Sequence, residues 1–130
     1  MYKTGQIIPH KLSKTITESD NNLFCLLTMN HHPVHLNAEY AYMAKHGRIL
    51  VVGTLVFSLV VGLTVEDVSF NAVANLGYDD VKHVNPVFIG DTIYAESTVL
   101  SFNGRVLEIE TTGFTSDKVV ITFKRKILYA

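Results

Sequence analysis

An α+β fold, an antiparallel sheet wrapped around one long apolar helix, is predicted by three features of the sequence. Across Ile49 to Leu63 (ILVVGTLVFSLVVGL) only Thr54 and Ser58 are neither apolar nor glycine. Beyond that segment the apolar period changes from helical to alternating. No strand–helix repeat supports a parallel sheet. The 130 residues, 48% of them hydrophobic and 18% charged, suit one domain with one core spanning residues 1–130.

Taken in order, Asp20 to Asn30 (DNNLFCLLTMN) places Leu23, Phe24, Leu26 and Leu27 at helical spacing behind a Ser19 or Asp20 cap, with His32-Pro33 ending the helix. A second short helix is expected at Asn37 to Lys45. The segment Ile49 to Leu63 would make a helix about 22 Å long, short of the roughly 30 Å a membrane span requires. It therefore reads as a helix buried in protein. Its Val and Ile content admits a strand, but Leu, Phe and the length favour a helix. Thr54 and Ser58, four apart, share one face. Ala74 to His83, with Gly77, reads as a connection into the sheet. Strands follow at 92–100, 105–112 and 118–128, joined by turns at Asn103-Gly104 and Thr115-Ser116-Asp117.

Charge and cysteine narrow the function. With 11 Lys+Arg against 12 Asp+Glu, the chain has no general attraction to phosphate backbones, so no nucleic-acid partner is expected. Cys25 stands alone, which excludes an intramolecular disulfide and fits a reducing cytoplasm. The N-terminal residues carry no export signal, and no membrane association is expected.

His31, His32 and His35 crowd around Pro33. A metal site is disfavoured: Pro33 interrupts the helix on which His31 and His35 would share an ion, and no Cys, Asp or Glu follows closely to complete a ligand set. A proline just before a histidine instead makes a rigid turn that presents one imidazole at a defined angle, with Asn30 across the turn. That arrangement suits proton transfer.

The run Asn30-x-His32-Pro33-Val34-His35, followed by Ala38-Glu39-Tyr40-Ala41, resembles the hydratase motif of MaoC-like dehydratases, whose signature begins Gly-Asp-x-Asn-Pro-aliphatic-His. Gly53 and Ser58 resemble the glycine and serine of that family's central helix, and Asn85-Pro86-Val87-Phe88-Ile89-Gly90-Asp91-Thr92 resembles its Pro-Val-x-x-Gly-Asp-Thr loop. Gly62 to Val81 is similar to the branch that dehydrates β-methylmalyl-CoA to mesaconyl-CoA. The likeness extends from Thr15 to Leu128.

The resemblance implies a hot-dog fold and an (R)-specific enoyl-CoA hydratase or dehydratase, adding water reversibly across a 2-enoyl thioester. It further implies a homodimer or a trimer of dimers, with acyl-CoA as substrate and with neither metal nor redox cofactor. The family divides proton work between the motif's Asp and His, and a backbone N–H at the start of the central helix polarises the thioester. Here His35 takes the histidine position and Gly53 the N–H position, but Asn30 replaces aspartate and His32 replaces asparagine. An amide is neither acid nor base near neutral pH. The expectation is therefore that His35 alone moves the proton while Asn30 orients water, with His32, Gly53 and Ser58 toward substrate.

A hot-dog thioesterase and a non-catalytic acyl-CoA-binding subunit are the competing readings. Plainer roles stand beside these assignments: a structural hydrogen bond for His32, a bond within its own helix for Ser58, a place in the core for Cys25, and a turn role for Asp91. Arg125, on the strand face of Ile121 and Phe123, admits an ion pair or a CoA phosphate and is assigned to no site. His10, His46 and His83 carry no spacing signal.

Overall fold

The computed structural model describes residues 1–130. Two short strands, β1 (Ile7–Pro9) and β2 (Lys14–Thr15), precede the helices α1 (Glu18–Thr28), α2 (Pro33–Leu36), α3 (Ala38–Met43) and α4 (Gly53–Thr64). A π-helical turn, Val65–Ser69, leads from α4 into β3 (Ala74–His83), β4 (Thr92–Phe102), β5 (Val106–Phe114) and β6 (Val119–Leu128). The antiparallel sheet runs β1-β4-β5-β6-β3, with β2 also paired to β4. The expected α+β architecture is present.

Alternation along the strands builds the core. Ile93, Ala95 and Val99 of β4, Leu107 and Ile109 of β5, and Ile121, Phe123 and Ile127 of β6 are buried on the face that receives α4. Helix α4 meets this face through Val56, Val60 and Leu63. The approach is closest over Gly113 of β5, where an added Cβ would lie 2.7 Å from Val60 Cγ2 and 2.7 Å from Ile121 Cγ2. Only a glycine lets helix and sheet pack at that distance.

On that same buried face of the sheet lies a polar chain. Asp67 accepts from His10 Nδ1 at 2.9 Å, His10 Nε2 lies 2.7 Å from Ser97 Oγ, and Ser97 Oγ lies 2.8 Å from Thr111 Oγ1. The His10 side chain is fully buried, so the chain fastens the residue after β1 to the π turn and to the sheet.

Several expectations are corrected. The central helix begins at Gly53 rather than Ile49: Leu50 bridges Phe88 and Val51 N–H bonds to the Val87 carbonyl, so the β-branched start of the run is extended. Nor is α4 enclosed on every side within the chain, since Thr54, Ser58 and Gly62 form an exposed stripe. Ala74–His83 is a ten-residue edge strand, not a connection. Two register shifts and the left-handed Asp80 (φ 52) break its alternation, and most of its residues are exposed.

Helix α1 starts at Glu18 with Thr17 as its cap. Asp20 is the third helical residue and closes a reciprocal capping box: it accepts from Thr17 N–H while its own N–H donates to Thr17 Oγ1. The helix ends at Thr28 on a left-handed Met29, and Pro33 opens the next short helix instead of terminating the first.

Candidate active site

The histidine turn is held by local bonds before it meets anything distant. Asn30 N–H donates to the Cys25 carbonyl, and Asn30 Oδ1 accepts from His32 N–H at 3.3 Å. His32 caps α2, its Nδ1 accepting from Val34 N–H at 3.1 Å, with Pro33 at the first helical position. The His32 ring stands edge-on to His35 at 6.1 Å and to Tyr40 at 5.9 Å. Asn30, His32 and His35 are thus brought together on one turn.

His35 is oriented from outside that turn. Its Nδ1 lies 2.6 Å from the Leu50 carbonyl oxygen. A carbonyl only accepts, so Nδ1 carries the hydrogen and the neutral ring keeps its lone pair on Nε2. The backbone is clipped in parallel: Leu50 N–H donates to the Val34 carbonyl at 3.2 Å. Asn21, wholly buried, donates from Nδ2 to the His35 carbonyl at 2.9 Å and accepts on Oδ1 from Val52 N–H at 3.1 Å. One carboxamide therefore joins the histidine turn to the residue that precedes α4.

The start of α4 carries no cap. Val52 supplies no side-chain bond, and the N–H groups of Gly53 and Thr54 meet no acceptor in the chain. Such free donors, at the positive end of a helix dipole, are available to a developing oxyanion. Gly53 also makes a close approach: a Cβ there would come within 3.1 Å of His83 Cε1. A cavity of about 250 Å³ opens at this point, lined among others by His46, Leu50, Gly53, His83 and Asn85. The Pro-Val loop closes its far side, with Asp91 Oδ2 accepting from Phe88 N–H at 2.9 Å in the turn role expected of it.

Ser58 is not on this cavity. It lies with Thr54 on the exposed stripe of α4 and makes no hydrogen bond, not even to its own helix. No carboxylate bonds to Asn30, His32 or His35, and no three His, Cys, Asp or Glu side chains converge in a metal-binding group. Burial raises the Cys25 thiol above its ordinary value, which fits a core residue. Sequence reasoning missed Asn21, His46 and His83. Asn21 could have been flagged as an amide in a segment otherwise supplying apolar faces, whereas the two histidines reach the cavity only through tertiary folding.

The family described as "MaoC like domain" matches residues 2–121. The chain is 34% identical to mesaconyl-CoA hydratase from Cereibacter sphaeroides over 98% of its own length and 39% of that protein's. It is 31% identical to β-methylmalyl-CoA dehydratase from Chloroflexus aurantiacus over 98% of the chain and 38% of the relative. The chain thus spans about two fifths of the length of these curated relatives. Among solved structures, the (R)-hydratase from A. caviae involved in PHA biosynthesis superposes with a TM-score of 0.85 at 25% identity, covering 99% of this chain and 98% of that one.

Proposed function

Since the chain belongs to the MaoC-like dehydratase family and has its hot-dog fold, we propose that it is an acyl-CoA hydratase/dehydratase, adding water reversibly across the double bond of a mesaconyl-like 2-enoyl-CoA. The observation that carries this reading is the clip at Leu50. The Leu50 carbonyl holds the Nδ1 hydrogen of His35 and so leaves Nε2 as the basic nitrogen, and from Leu50 the chain runs, three residues later, into the free Gly53 N–H.

In the hydration direction, Nε2 takes a proton from water as the oxygen attacks C3. Charge moves onto the thioester oxygen, which Gly53 N–H and the α4 dipole stabilise. The imidazolium then returns that proton to C2, so one histidine serves both half-steps when addition is syn. Asn30 Oδ1 is engaged by His32 N–H, which leaves its NH₂ free to hold the water oxygen. His32 supports the turn and the His35 ring. Ser58, on the open face of α4, would reach an acyl group only where another copy covers that face.

That cover is a homodimer in this reading. Strand β3 leaves one edge of its backbone unpaired, and Leu76, Val81 and Val84 are exposed along or just beyond it. Arg48 and Lys118, neither in a salt bridge, flank Phe88 at 3.7 Å and 5.2 Å beside the cavity. They suit the phosphates of CoA.

The missing aspartate specifically favours a second reading, acyl-CoA binding without turnover. Incubation with mesaconyl-CoA or crotonyl-CoA decides. Loss of enoyl absorbance is the expected result, with His35→Ala lowering kcat by about 10²- to 10⁴-fold. Release of free thiol would indicate a thioesterase, binding without turnover a sensor, and full activity in His35→Ala would end the proposed mechanism.

A further inference from the structure

Arg125 is only 4% exposed, yet no carboxylate pairs with it. A buried charge normally requires compensation. Its Nε donates to Asn75 Oδ1 at 2.6 Å and its Nη1 to Thr64 Oγ1 at 2.8 Å. Thr64 Oγ1 in turn donates to the Val61 carbonyl at 2.7 Å, so its hydrogen is committed elsewhere and it meets the guanidinium as an acceptor. Both partners are neutral. Tyr78 adds a ring face 5.8 Å from the guanidinium carbon, which leaves the positive charge largely uncompensated. Nη2 has no partner. Because no buried side-chain nitrogen in the molecule lacks one, Nη2 reaches open space.

A cavity of about 240 Å³ opens beside the arginine, lined in part by Ser69, Asn75 and Arg125. Asn75 has spent its oxygen on Arg125 and keeps two amide hydrogens, and the Ser69 hydroxyl is unbonded. Every polar side chain on the cavity can therefore donate, and the only full charge there is positive. Burial draws the guanidinium below its ordinary value, as expected of a cation lacking a counter-charge. The cavity lies at the Thr64 end of α4, roughly 16 Å along the helix from Gly53. A short acyl group held at Gly53 of the same chain does not extend that far, so this is a separate place.

We propose that Arg125, Asn75 and Ser69 form a receptor for a small oxyanion, a carboxylate or a phosphate, at the end of α4 opposite the candidate reaction site. The guanidinium fork suits both chemistries.

The test is calorimetric unfolding of the intact chain in tens of millimolar inorganic phosphate, in succinate, and in sodium chloride at matched ionic strength. It is independent of turnover, so it stands or falls separately from the hydratase assay. The expected result is a Tm roughly 5 °C above the chloride control in at least one of the two anions. A rise in phosphate alone assigns a phosphate, and a rise in succinate alone a carboxylate. The rise should vanish in Arg125→Met and shrink in Asn75→Ala, an exposed position that leaves the arginine in place. No rise above chloride in the wild-type chain overturns the proposal. So does a wild-type-sized rise in Arg125→Met or, if that variant does not fold, in Asn75→Ala.

Discussion

At the scale of single residues, the site depends on one amide that touches no reacting atom. Asn21→Ala would leave the Val52 N–H and the His35 carbonyl without partners, at a cost of about 1–3 kcal/mol. Urea unfolding should register that loss, and kcat should fall more than KM rises, because His35 is misplaced rather than removed. Gly53→Ala should lower kcat/KM by pressing its methyl group on the His83 ring, 3.1 Å away. Adding His83→Ala should restore part of that loss, and steady-state kinetics of the single and double variants check the contact. The placement of His35 on a proline turn and of Gly53 on the apolar helix was legible because motif and helix patterns are local. The 2.6 Å bond that gives His35 its tautomer joins residues fifteen apart and has no sequence signature.

At the scale of elements, alternation announced β4, β5 and β6 because each has one face in the core and one toward solvent. Strand β3 lacks that contrast and from sequence reads as a connection, and β1 and β2 are too short for any period. The register that places Gly113 opposite Ile121 was likewise invisible. Gly113→Val should destabilise the fold by about 1–3 kcal/mol or more, measured as a lower urea midpoint, because its side chain would occupy space held by Val60 and Ile121.

The cap of α1 gives a pH-dependent prediction. Thr17 N–H, then Lys14, hold the Asp20 carboxyl below its ordinary value of 3.8. A depressed folded value stabilises the protein above the unfolded one, and that contribution disappears as pH falls through the folded value. Asp20→Asn should therefore lower Tm slightly at neutral pH, and the difference from wild type should close below about pH 3.8.

At the scale of the whole molecule, one helix is gripped on one side only, and one sheet ends in an open ten-residue edge. Sedimentation is expected to show particles of at least twice 14.5 kDa. The double substitution Leu76→Glu with Val81→Glu should shift them to the single-chain mass. The buried run from Asp67 through His10 to Ser97 and Thr111 has its own consequence for this architecture. The first ten residues behave as a keystone rather than a tail: clipping them away would remove the His10 ring that links the Asp67 carboxylate to the Ser97 hydroxyl. A protease that removed this short leading segment would thereby loosen the far end of the barrel-like wrap, although every residue of the histidine turn remained in the chain.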